Sequence, residues 1–304
     1  MAFDSQYLGW KKAELHSHLD GAVRLSTAEE LSGRHGLRMV APDDCPSQAE
    51  YITYFDDAIA VMQTEGALER IAFELCVDSA AETIDYLEVR WAPRLHLRRS
   101  LNVEQVVRAV LSGLASGPIR AVAIVCAMRQ HAVEENVELA QIAGRFAGRG
   151  VVGFDLAGDE ARYPATPHRP AFETARAAGL HLTCHAGEAG EPSSVEEALD
   201  LGVERIAHGV IGARDPRIVE RIRREGVVLD MCPTANWKCK AVSTLAEHPL
   251  PRLVRNGVRC TISTDSRTVA DTTLTEEFDR MSQIGMTDEE LRACNETAYT
   301  AKFG

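Results

Sequence analysis

With 304 residues, 45% hydrophobic and 26% charged, the chain has ordinary soluble globular composition and enough apolar surface for a large core. Its net charge of −12 runs against the basic surface that a nucleic-acid-tracking protein needs, and the densest cationic run is only Arg94 to Arg99, so a small-molecule substrate is expected and nucleic acid is not. Eight irregularly spaced cysteines without a CxxC, a His-Ser-His motif that begins by position 16, and no apolar run of membrane-spanning length point to reduced thiols in a cytoplasmic protein, with no signal peptide and no membrane partner.

The first predicted strand, at about 13–18, carries His16 and His18. Residues two apart on a strand share a face, so both imidazoles can reach one metal ion. A short HxH alone is equally a strand that happens to alternate histidine and apolar residues. From residue 20 to residue 84 no strand pattern recurs. This long connection holds three helix-like stretches, near 26–36, 48–63 and 66–82, and is expected to cover the mouth of the fold. Further strands follow at about 85–91, 120–127, 151–157, 180–186, 205–209, 227–232 and 259–264. Helical patterning between them implies parallel pairing. Eight such units predict a (β/α)8 TIM barrel of class α/β, with residues 1–304 as one domain and a helical insertion at about 20–84. A doubly wound open sheet is the alternative, and no glycine-rich dinucleotide or Walker loop supports it.

Barrel enzymes place their chemistry at the C-terminal strand ends. Here those ends carry His16 and His18, then Asp155 with Gly158, Asp159 and Glu160, then His185 and Glu188, then His208 and Gly209, then Asp265 and Ser266. Taken singly, His185 and His208 read as core or surface histidines, and Glu188 and Asp265 as loop residues. Their joint placement at one end of the strands does not. Three imidazoles (His16, His18, His185) with the Asp265 carboxylate suit a borderline ion such as zinc. Cys184 should point away from the His185 face, and the zinc deaminase signature with HxE and PCxxC is absent, so the chain is not of that class.

Five stretches together resemble the adenosine deaminase family of metal-dependent barrel hydrolases. They are His16-Ser17-His18-Leu19-Asp20-Gly21, Gly153-Phe154-Asp155-Leu156-Ala157-Gly158-Asp159-Glu160, His185-Ala186-Gly187-Glu188, Ile206-Ala207-His208-Gly209 and Ser263-Thr264-Asp265. Cys232 to Asn236 and Leu245 to Leu250 are similar to bacterial members. Family members usually continue with a further helical segment after the position of Gly304.

The resemblance implies hydrolytic deamination of adenosine or a close 6-aminopurine nucleoside. It implies zinc on His16, His18, His185 and Asp265, with His208 helping to deprotonate the attacking water. Glu188 would protonate purine N1, the backbone N–H of Gly158 would meet N3, and Asp20 would lie near the ribose 5′-hydroxyl. Ser266 departs from the pattern, since the family typically has a second aspartate there, against N7. The Ser266 hydroxyl is expected to donate to N7 in its place, with more room beside that atom. Deamination of free adenine or of a modified adenosine, and nucleoside binding without turnover, are the alternatives. A phosphate ester or amide hydrolase is weaker, because no bridging lysine stands at the end of the fourth strand. The oligomeric state is not legible in the sequence.

Overall fold

The computed structural model describes residues 5–304. Eight parallel strands alternate with helices: β1 Lys12–His18, β2 Ile84–Trp91, β3 Arg120–Met128, β4 Val151–Ala157, β5 His181–Ala186, β6 Arg205–His208, β7 Val228–Met231 and β8 Cys260–Ile262. Each pairs with the next in sequence. The ring closes where β1 meets the end of β8: His18 N–H donates to the Asp265 carbonyl at 2.6 Å, and Asp265 N–H donates to that of His16 at 3.0 Å. The fold is thus the (β/α)8 barrel expected. The eighth strand, Cys260–Ile262, is shorter than the predicted 259–264, and beyond it only Asp265, at φ 64°, is bridged to β1, opposite Ser17.

The connection after β1 is helical: α1 Leu25–Ser32, α2 Gln48–Ile52, α3 Asp56–Val61 and α4 Glu65–Ala81. Helix α1 stops four residues before the expected 36, at Gly33, whose φ of 65° needs no Cβ and whose N–H caps the Glu29 carbonyl. The stretch expected at 48–63 is broken by a tighter turn over Thr53–Phe55. Ser47 opens α2 by accepting the Glu50 N–H, and Thr64 opens α4 by accepting the Ala67 N–H. Helix α4 packs on β2 and on the helix Val103–Ser116 as an ordinary barrel helix. Only α1 to α3 are therefore inserted.

Below the strand ends the barrel interior is ionic. Arg90 Nη1 lies 3.1 Å from Asp155 Oδ2, and its Nη2 lies 3.4 Å from Asp230 Oδ2. Arg205 Nε lies 3.1 Å from the same Asp230 oxygen, and the Arg205 guanidinium also pairs with Glu88. Glu88, Arg90, Asp155, Arg205 and Asp230 are all fully buried. The apolar core lies between the strands and the outer helices.

Candidate metal centre and substrate cavity

One ligand atom from each of His16, His18, His185 and Asp265 lies within 4.8 Å of the other three. His16 Nε2 is 3.1 Å from Asp265 Oδ1, and His18 Nε2 is 3.1 Å from His185 Nε2 and 3.4 Å from Asp265 Oδ1. A register shift between Glu14 and Ser17 on β1, immediately around His16, re-aims the strand as it reaches the site. Asp265 and His208 both hold left-handed backbone, at φ 64° and 73°. Such strain in non-glycine residues collects at functional sites.

The donor set fits a metal ion. Both ring nitrogens of fully buried His16 lack a hydrogen-bond partner, an arrangement that costs free energy unless something else satisfies them. Burial, with Arg90 and His185 close by, holds His16 well below the ordinary histidine range, and burial with His185 does the same for His18. Neutral imidazole is the form that binds metal. Behind His185, its Nδ1 lies 2.9 Å from Asp155 Oδ2, though the two are not aligned as a hydrogen bond. Burial pushes the Asp155 carboxyl up, but His185 and Arg90 outweigh it and keep the group ionised. A carboxylate behind a ligating histidine fixes its ring and raises its basicity.

Beside the cluster, His208 Nε2 lies 3.6 Å from Glu188 Oε1. Burial lowers His208. Its Nδ1 is 3.0 Å from the Asn236 side-chain amide, which is 3.2 Å from His248 Nε2. The Asn236 amide therefore selects which His208 nitrogen carries the proton: its Nδ2 faces His208 Nδ1 and its Oδ1 faces His248, an orientation in which Nδ1 accepts and Nε2 carries the proton, whereas turning the amide over would free Nε2 as a base. Burial and the Asp265 charge push the Glu188 carboxyl up to about 7. Gln48 of α2 donates to Glu188 Oε2, and the Cys239 thiol lies 3.4 Å from Oε1. The Glu188 turn is held by Glu160, which accepts the N–H groups of Gly187, Glu188 and Ala189 and the Ser194 hydroxyl.

All of this opens on one cavity of about 110 Å³. Its walls include His18, His185, Glu188, His208 and Asp265, with Asp20 and Gly158 further round. Phe55, Ile59, Leu95 and Met128 supply apolar surface. Asp20 Oδ1 has no hydrogen-bond partner, and burial pushes its carboxyl up to about 7. Gly158 sits at φ 105°, where a Cβ would fall 2.4 Å from Gln130 Oε1, so its backbone alone forms that part of the wall.

Ser266 is the exception. It is fully buried, lies outside the cavity wall, and its Oγ is 2.6 Å from the Tyr51 hydroxyl. The space expected beside it is taken by Tyr51. Sequence reasoning also missed Gln48, Asn236 and His248 as neighbours of Glu188 and His208. The last two lie in stretches already noted as family-like, but nothing local ties them to His208.

A barrel with a histidine–carboxylate cluster at the C-terminal ends of its strands, and an acid and an imidazole beside it, is a metal-dependent hydrolase of the amidohydrolase type. The family model described as adenosine deaminase matches residues 11–303. An adenosine deaminase of Clostridium perfringens is 35% identical over 90% of this chain and 88% of its own length. That of Shewanella halifaxensis is 38% identical over 90% and 87%. Among solved structures, the N6-mAMP deaminase of Arabidopsis superposes with a TM-score of 0.89 at 25% identity, covering 98% of this chain and 95% of its own. An adenine deaminase of Arthrobacter aurescens gives 0.88 at 25%, covering 97% and 94%. The chain belongs to the adenosine deaminase family and is a deaminating aminohydrolase. Among the described residues no helix is long and apolar enough to cross a membrane.

Proposed function

We propose that this protein is a zinc-dependent adenosine deaminase, taking adenosine or a close 6-aminopurine nucleoside and water to the 6-oxo nucleoside and ammonia. The observation that carries the reading is the cluster of His16, His18, His185 and Asp265, of which the last three line a single cavity together with Glu188 and His208. Zinc bound by those four residues supplies Lewis-acid activation of water near neutral pH.

The chain's own residues do the rest. Glu188, its carboxyl pushed up to about 7, is protonated in about half of the molecules at neutral pH and gives that proton to ring N1. That withdraws electron density from C6, which is otherwise a poor electrophile. His208, neutral through burial, takes a proton from the attacking water as the C6–O bond forms. The proton then passes to the amino nitrogen, the C6–N bond breaks and ammonia leaves. The N1 proton stays on the 6-oxo product, the proton of the new C6 hydroxyl is lost to solvent as C6=O forms, and Glu188 is reprotonated from solvent. Gly158 N–H suits ring N3 and Asp20 a sugar hydroxyl.

No lysine or arginine is among the cavity residues, while Asp20, Glu188 and Asp265 are, which favours an uncharged sugar over a phosphate ester. Free adenine is the second reading, favoured by the small cavity and the likeness to an adenine deaminase.

Release of ammonia from adenosine, adenine and AMP, and of methylamine from N6-methyladenosine, by zinc-loaded protein tests the activity, with adenosine expected to be fastest. Release from none of them would overturn the proposal. Elemental analysis should find about one zinc per chain, and markedly less in His18→Ala. Equal zinc in the two proteins would remove His18 from the ligand set.

A further inference from the structure

Ser266 is seated too deep to touch a ligand. A Cβ at Gly21 would fall 2.3 Å from the Ser266 Cβ, so the backbone of residue 21 is packed directly against it. The cavity wall in front of Ser266 is Tyr51, buried to 3% exposure. Its hydroxyl ends 2.6 Å from Ser266 Oγ, which in turn lies 3.2 Å from Asp265 Oδ2. The Tyr51 ring packs edge-on to Phe55 at 6.0 Å. One turn earlier on the same helix, Gln48 reaches Glu188. A single turn of α2 thus lines the cavity from Gln48, against Glu188, to Tyr51, which stands in front of Ser266.

We propose that the Tyr51 hydroxyl, oriented by Ser266, is the group that reads the ring edge on the side of C6 away from Glu188, and so selects substrates that carry a hydrogen-bond acceptor at N7. This rests on the reading of the site as a 6-aminopurine deaminase. The reacting carbon C6 is bonded to N1 and to C5, and C5 carries N7. A ring with N1 against Glu188 therefore turns its C5–N7 edge toward the other end of that turn, where Tyr51 stands. N7 has an in-plane lone pair, and a phenol supplies one donor. Burial, reinforced by the Asp265 charge, holds Tyr51 well above the ordinary tyrosine range, so the proton is retained.

The hydroxyl pair can be polarised in two ways. With Ser266 donating to Asp265, Tyr51 donates to Ser266 and offers the cavity only a lone pair. With Ser266 donating to Tyr51, the phenol proton is free for the ligand. The ligand-bound state uses the second. Ser266 is thus a positioning residue, and Tyr51 the specificity-determining one.

The test compares adenosine with 7-deazaadenosine, and adenine with 7-deazaadenine, by kcat/KM in the zinc-loaded parent, Tyr51→Phe and Ser266→Ala. Dissociation constants of purine riboside and 7-deazapurine riboside are measured by calorimetry on the same three proteins. The parent should prefer the N7 compound by about three- to tenfold, the worth of one neutral hydrogen bond. Tyr51→Phe should bring both ratios close to one with zinc content and melting temperature kept. Ser266→Ala should give ratios between the two. A parent without preference, or Tyr51→Phe with the parent's ratios, would overturn the assignment. If no 6-aminopurine is turned over, the proposed function fails by itself, and the calorimetric ratio still decides for or against Tyr51. Failure of both ribosides to bind would overturn the inference as well.

Discussion

In the proposed mechanism Glu188 is the residue on which the chemistry turns, and its neighbours oppose one another. Burial and Asp265 favour the protonated acid; the Gln48 N–H favours the carboxylate. Glu188→Gln keeps the shape and loses the proton. It should lower kcat by at least about a hundredfold while zinc stays bound, the usual worth of a general acid; turnover at the parent rate would remove Glu188 from that role. The acid must be protonated to act, so activity falls as pH rises through its pKa. Gln48→Leu removes a donor to the charged form and so raises that pKa. The alkaline limb of kcat/KM should move up by about one unit, since a hydrogen bond to a charged group is worth about 1.5–3 kcal/mol and a pKa unit about 1.4 kcal/mol. An unmoved limb would mean that Gln48 leaves Glu188 before the proton is passed.

At the scale of elements, the barrel was legible and the insertion's contents were not. Strand ends could be read because β1 sets His16 and His18 two apart and because His185 and His208 each follow an apolar run. Gln48 and Tyr51 could not, for a physical reason. Helix α2 is only five residues long, and its position is decided by contacts with residues far away in sequence, Glu188 and Ser266. Glutamine and tyrosine three apart on a short helix look like any half-exposed surface pair. Ser266 is expected against N7 from the family pattern at that position, but a pattern does not say what stands in front of a side chain, and Tyr51 comes from a helix distant in sequence. The insertion therefore does more than cover the mouth, since Gln48, Tyr51, Ile52, Phe55 and Ile59 are all cavity wall. Amides of α2 and α3 should gain hydrogen-exchange protection when purine riboside binds, because closing the cavity restrains both helices. Protection confined to the loops after β4 and β5 would show that the insertion is already rigid without ligand.

Across the whole molecule, the candidate metal centre stands on the ionic layer of the barrel interior, and the two arginines of that layer have separable duties. Arg205 faces Glu88 and Asp230, donates to the Ala301 carbonyl at 2.9 Å, and lies 3.7 Å over the Phe303 ring, which is itself stacked on His181. It ties the end of the described chain to the barrel floor and touches no candidate metal ligand. Arg90 faces Asp230 too, but its other arm holds Asp155, the carboxylate behind His185. Removing one partner from a buried ion pair leaves a charge without compensation, at a cost of about 3–5 kcal/mol. Both Arg205→Met and Arg90→Met should therefore lose stability on that order in urea unfolding of the metal-loaded protein. Only Arg90→Met should also bind zinc more weakly, by about ten- to a hundredfold in competition with a chelator, because loss of an outer-shell partner acts through the ligand that it orients. Glu88→Gln added to Arg205→Met should recover part of the lost stability, since it removes one of the two stranded charges. Equal zinc affinity in the Arg90 and Arg205 variants would mean that Asp155 holds His185 without help from the layer beneath it.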